Sequence, residues 1–141
     1  LVETSLNLGI AKLGEMFTVT FSVRSSVNQK KDELLEQLKK LSDFYDGIYS
    51  QSGEYPAWEY CKNSVLRDTM VKTYSEMFGE EPKVLAIHAG LECGLLSEKL
   101  PGLDAVSIGP QMHDIHTSRE RLEIASTGRV WRFLCKVLSE L

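Results

Sequence analysis

Two short stretches of this 141-residue chain are apolar without alternation, Lys83-Val84-Leu85-Ala86-Ile87 and Ala105-Val106-Ser107-Ile108. A strand with one wet face alternates, so an unbroken apolar run predicts a strand covered on both faces. Between the two runs lies a short helical pattern around Leu95 to Leu100, broken by Pro101-Gly102. Strand–helix–strand of this kind is the pattern of a parallel α/β sheet. Helices flank it. Leu66, Met70, Tyr74 and Met77 form a stripe behind a Ser64 cap, ended by Gly79 and Pro82, and Val130, Leu134, Val137 and Leu141 repeat behind Thr127.

The first part of the chain has a different rhythm. Leu6 and Leu8 alternate with polar residues, and Phe17, Val19, Phe21 and Val23 alternate with Thr18, Thr20 and Ser22. That period of two predicts half-buried strands, joined through the Gly9 and Gly14 segment as a hairpin. Beyond Ser26 the period lengthens: Leu34, Leu38, Leu41 and Tyr45 make an amphipathic helix with Asn28 as its cap and Gly47 as its stop. Residues 48–55 read as a further strand, giving the order β-β-α-β, a small open sheet with its helix on one face. The pattern shifts at Tyr55-Pro56-Ala57-Trp58, where proline bars a strand or helix interior. The expected domains are therefore residues 1–57 and 58–141, α/β in class and α+β overall.

Composition narrows the function classes. At 43% hydrophobic and 26% charged the chain is of globular type, and no run of about 18 uncharged apolar residues encodes a membrane span. A net charge of −4 with no basic stripe argues against nucleic acid as a partner. Three cysteines, Cys61, Cys93 and Cys135, fit neither a disulfide framework nor a zinc knuckle. They read as reduced, mostly buried thiols, and with no secretory segment they point to the cytoplasm. The opening Leu1-Val2-Glu3-Thr4 carries no initiator Met and reads as though cut from something longer.

The chemistry gathers where the apolar runs end. The first runs into His88-Ala89-Gly90-Leu91-Glu92-Cys93-Gly94 and the second into Gly109-Pro110-Gln111-Met112-His113-Asp114-Ile115-His116-Thr117-Ser118-Arg119-Glu120, so all three histidines lie at or just after a strand end. Ligands of open α/β sheets bind there. Each piece also has a plain structural reading. His88 can be a hydrogen-bonded structural histidine, Gly90 and Gly94 can serve a tight turn, and H-x-x-H alone is a weak metal signal. Arg119, Glu120, Arg121 and Glu123 can be a solvated face of alternating charge. Weighed together, the imidazoles suit zinc, a nearby carboxylate can orient them, and a glycine-rich strand end offers backbone N–H groups to a carboxylate or oxyanion. A zinc site needs three or four ligands, however, and a hydrolase needs a general base. Neither Glu80-Glu81 nor Asp32-Glu33 stands where a metal centre belongs.

The segment from Ile87 to Gly94, with Leu103-Asp104-Ala105-Val106-Ser107-Ile108-Gly109-Pro110 and His113 to Glu120, resembles the C-terminal part of bacterial aminoacyl-histidine dipeptidases. The likeness runs through the whole chain, including Arg24-Ser25-Ser26 and the segment around Trp58. It implies a di-zinc peptidase hydrolysing Xaa-His and other dipeptides, with a catalytic α/β domain and an inserted ferredoxin-like lid. Residues 1–57 then correspond to part of the lid and 58–141 to the last segment of the catalytic domain. The resemblance makes His116, with Glu120 four residues on, a zinc ligand. It places the Gly109 backbone near the substrate, and it sets His88 and Glu92 in a substrate-binding loop where many relatives carry an arginine. The upstream His-x-Asp motif and Glu-Glu pair have no counterpart here, so the implied role is a segment inactive by itself.

Three expectations follow. The first is a segment of a zinc dipeptidase with a dipeptide substrate and a second copy of the chain as partner. The alternative is a non-catalytic interaction or dimerisation module of α/β type. The third is a small metal-binding protein using His113, Asp114 and His116.

Overall fold

Alternation in the first strands predicts a hairpin, and the hairpin forms. In the computed structural model, which describes residues 2–88 and 92–141, β1 (Thr4–Leu13) pairs antiparallel with β2 (Phe17–Ser25). The register runs from Thr4↔Ser25 to Leu13↔Phe17 and slips between Leu8 and Ile10, where Gly9 is the extra residue of a bulge. Val19, Phe21 and Val23 are half-buried while Thr18, Thr20 and Ser22 are exposed. The covering layer is α1 (Asn28–Phe44), which packs on β2 and carries the half-buried Leu34, Leu35 and Leu38. The stripe stops short of its predicted end: Leu41 and Tyr45 are exposed. So are Leu6 and Leu8, and β1 does not gain the buried face its alternation promised.

The other elements among the described residues are α2 (Val65–Phe78), α3 (Glu92–Lys99), β3 (Met112–His113), β4 (Arg121–Leu122) and α4 (Ile124–Glu140). The class is mixed α/β, with four helices and two small antiparallel sheets among the described residues. Contacts divide the chain into two compact units, Leu1–Tyr60 with Leu85–Leu103, and Cys61–Val84 with Asp104–Leu141.

In the first unit, Asn28 does not cap α1. The N-cap is Val27, and the Asn28 Oδ1 instead accepts from Ala57 N at 2.8 Å, while Glu59 Oε1 accepts from Asn28 N at 3.1 Å. Both bonds pin the segment around Trp58 to the helix start. Gly47 does end the helix, donating to Ser42 O at 2.8 Å, although Asp46 takes the left-handed backbone (φ 52°). The strand expected at residues 48–55 is absent: the segment joins no ladder, and its bonds are Tyr49 Oη to Gln51 Oε1, Gln51 Nε2 to Glu54 Oε1 and, from α1, Lys31 Nζ to Tyr55 O at 2.8 Å. Gly94 serves close packing rather than a turn. It is buried inside α3, and a Cβ there would stand 2.8 Å from Pro56 O, so only glycine admits this approach. Gly90 lies outside the described residues.

The second unit is built on helix packing. Ser64 caps α2 as predicted, its Oγ accepting from Arg67 N at 3.0 Å, and Gly79 closes the helix in the left-handed region (φ 73°). A long-range partner strengthens that cap. Asp104 accepts from Ser64 Oγ at 2.6 Å and from Leu66 N at 2.9 Å, and these two bonds hold its carboxyl below the usual carboxylate range. The core joins Met70 of α2 to Phe133 and Val137 of α4, with Leu66, Tyr74 and Val106 against them. Tyr74 meets Phe133 edge-on at 5.6 Å. Helix α4 begins at Ile124 rather than behind Thr127, and its inward stripe is Ser126, Val130, Phe133 and Val137; Leu134 and Leu141 face outward.

Neither unbroken apolar run forms a strand in a ladder. Val84, Leu85, Ile87 and Ile108 are exposed, and Val106 alone among the large apolar residues of the second run packs on the core. A strand exists by its neighbours, and the described residues offer these runs none. The cysteines also depart from expectation, since Cys61 and Cys135 are exposed and only Cys93 is partly covered.

Candidate functional site

The residues 109–123 make the most elaborate local structure of the second unit. β3 and β4 form a two-residue antiparallel ladder, Met112↔Leu122 and His113↔Arg121, which closes a loop over 114–120. The base is anchored to α4: Gln111 N donates to Ser126 Oγ at 2.8 Å and Glu123 N to Gln111 O at 3.0 Å. The loop folds through two successive turns, Thr117 N to Asp114 O at 3.2 Å and Glu120 N to Thr117 O at 3.1 Å.

Two non-glycine residues of this loop hold left-handed backbone, Asp114 (φ 52°) and His116 (φ 64°). Such a conformation costs roughly 1–2 kcal/mol per residue and persists only where neighbours impose it. Both have a restraint. Arg121 Nη2 meets Asp114 Oδ2 at 2.9 Å, and His116 N donates to Glu120 Oε2 at 2.7 Å. The charges that read as a solvated face are therefore largely committed, with Glu123 paired to Arg129 at 3.0 Å. Asp114, Ser118, Arg119, Glu120 and Arg121 line a shallow concavity.

His116 stands exposed on this loop and His113 exposed on β3. Gly109 is exposed just before it, with nothing within 4 Å of where its Cβ would be. His88 and Glu92 fall in the first unit, His88 half-buried and Glu92 exposed in the first turn of α3. The residues between them lie outside the described part. The structure thus brings His116 to Glu120 through a backbone bond, and describes His88 and Glu92 only within their own unit. Among the described residues no three His, Cys, Asp or Glu side chains gather to hold a metal ion. His113, Asp114 and His116 form no such group, and the Asp114 carboxylate meets Arg121 instead. What sequence reasoning missed is the strain at Asp114 and Arg121's hold on it, which a loop of mixed charge does not announce.

Likeness to known proteins now bears on these residues. The chain is 34% identical to the cytosol non-specific dipeptidase of Escherichia coli (strain K12), matching over 99% of the chain and 29% of that protein. The crystal structure of an aminoacylhistidine dipeptidase from Vibrio alginolyticus superposes on the whole chain with a TM-score of 0.86 at 30% identity. The chain matches one segment of a dipeptidase. It spans 29% of the length of each of these relatives. No protein-family model matches it. The resemblance read between Ile87 and Glu120 therefore extends along the chain, as expected. No helix among the described residues is long and apolar enough to cross a membrane.

Proposed function

We propose that this chain is one segment of a zinc-dependent dipeptidase of its relatives' length, acting in the cytoplasm on Xaa-His and other dipeptides. The observation that carries the reading is the structural likeness to an aminoacylhistidine dipeptidase over all of the chain. In it, residues 58–141 belong to the catalytic domain and residues 1–57 to a lid that meets a second copy of the chain.

His116 is the residue that would hold zinc. A neutral imidazole suits the ion, and an exposed side chain on a tightly bonded loop suits a ligand shared with other segments. A single imidazole is one ligand of the three or four required, so the general base and the other ligands belong to the remainder of such an enzyme. Zinc, when bound, supplies Lewis acidity toward the peptide carbonyl and toward a water. The chain's own contribution to the substrate is polar recognition. The backbone of the exposed Gly109 can donate to a carboxylate or a developing oxyanion, and His88 and Glu92 supply a donor and an acceptor for dipeptide ends.

In the full-length protein, His116→Ala removes one zinc equivalent per subunit and nearly all dipeptidase activity, with far-UV circular dichroism unchanged. Undiminished zinc and turnover in that variant overturn the assignment. The 141-residue chain by itself is expected to hydrolyse no dipeptide.

A further inference from the structure

We infer that Glu120 is the positioning residue of His116, fixing the backbone from which the imidazole projects without touching the ring; this rests on the reading of His116 as a zinc ligand. The bond is between the carboxylate and the amide of His116, 2.7 Å long, and His116 is in the left-handed region at φ 64°. That short amide bond is set against the steric cost of the left-handed conformation for a non-glycine residue. The direction of a Cα–Cβ bond follows from the backbone, so release of the amide swings the imidazole.

The spacing of four has a physical reason. The turns closed at Asp114 and Thr117 carry the chain back on itself, so that residue 120 lies against the amide of residue 116. The same device acts a second time, where Arg121 holds the left-handed Asp114 by an ion pair at 2.9 Å. Adjacent residues 120 and 121 thus restrain the two strained positions of one loop. Thr117 Oγ1, donating to Asp114 O at 2.7 Å and accepting from Arg119 N at 3.2 Å, ties the middle.

The test compares full-length wild type, Glu120→Ala, Glu120→Gln and His116→Ala, reading zinc affinity by competition with a chelator and amide hydrogen exchange at His116. Glu120→Ala is expected to weaken zinc binding by about 10–100-fold, the range for residues that orient a ligand, and to quicken exchange at the His116 amide. Glu120→Gln keeps a carbonyl acceptor and stays near wild type in both. Wild-type affinity in Glu120→Ala, with His116→Ala losing its zinc, overturns the inference alone. Equal damage from Gln and Ala with unchanged exchange also overturns it, because charge and not the amide bond is then what matters. Retention of zinc by His116→Ala overturns the ligand reading and this inference with it.

Discussion

The β1–β2 hairpin and the two unbroken apolar runs both read as strands, and they behave differently. The hairpin strands lie in sequence next to each other, so each carries its own ladder partner, and the ladder forms from Thr4↔Ser25 to Leu13↔Phe17. The runs at 83–87 and 105–108 join no ladder, and Leu85 is 62% exposed. Alternation describes the strand itself together with one covering layer, which here is α1 on β2. Continuous hydrophobicity describes a surrounding: it states that both faces must be covered and says nothing of what covers them. In a chain that spans 29% of its relatives' length, the second kind of statement has less to act on.

The contrast breaks most readily by charge. Phe21→Lys, on the half-buried face of β2, should destabilise the 141-residue chain by about 1.5–3 kcal/mol, the value of one buried large apolar side chain. Leu85→Lys should cost less than about 0.5 kcal/mol, as exposed substitutions do. Urea denaturation of both variants decides it. A Leu85→Lys loss as large as that of Phe21→Lys shows that the run is covered after all, and the contrast falls.

A finer contrast lies inside the second run. Val106 touches the cluster of Met70, Phe133 and Val137, whereas Ile108 is 45% exposed. Val106→Ala should cost about 1 kcal/mol and Ile108→Ala should stay within about 0.5 kcal/mol, by the same measurement. Equal losses would place both side chains in one covered strand.

What the sequence made legible was local. The period of two along β2, the first turns of the α1 stripe, the Ser64 cap and the Gly79 stop each depend on residues within a few positions, and each is present in the structure. Contacts set by distant residues were not legible. Asn28 has the right side chain for a cap, but Ala57 N, 29 residues away, takes its oxygen. Gly94 reads as a turn residue, and its reason is the approach of Pro56 O. The candidate site divides the same way. His116 and Glu120 were visible as a spacing, while the left-handed backbone that joins them, and Arg121's restraint of Asp114, arise only once the β3–β4 ladder closes the loop.

Asp104 carries that lesson to a measurable pH dependence. It lies next to the second apolar run, yet it completes the cap of a helix that starts at Val65. Its folded-state pKa is lowered, first by the Ser64 hydroxyl and then by the Leu66 amide. A lowered carboxylate contributes stability that is fully present above its unfolded value of about 3.9 and is lost as pH falls through the lower folded value. The wild-type chain should therefore lose stability below about pH 4 more steeply than Asp104→Asn, which has no charge to titrate. At neutral pH the same variant should be about 1 kcal/mol less stable, since an amide oxygen replaces only one of two acceptors and the charge near the helix N-terminus is gone. The two stability curves should converge on acidification. Parallel curves from pH 7 down to pH 3 would mean that the carboxylate does not cap α2.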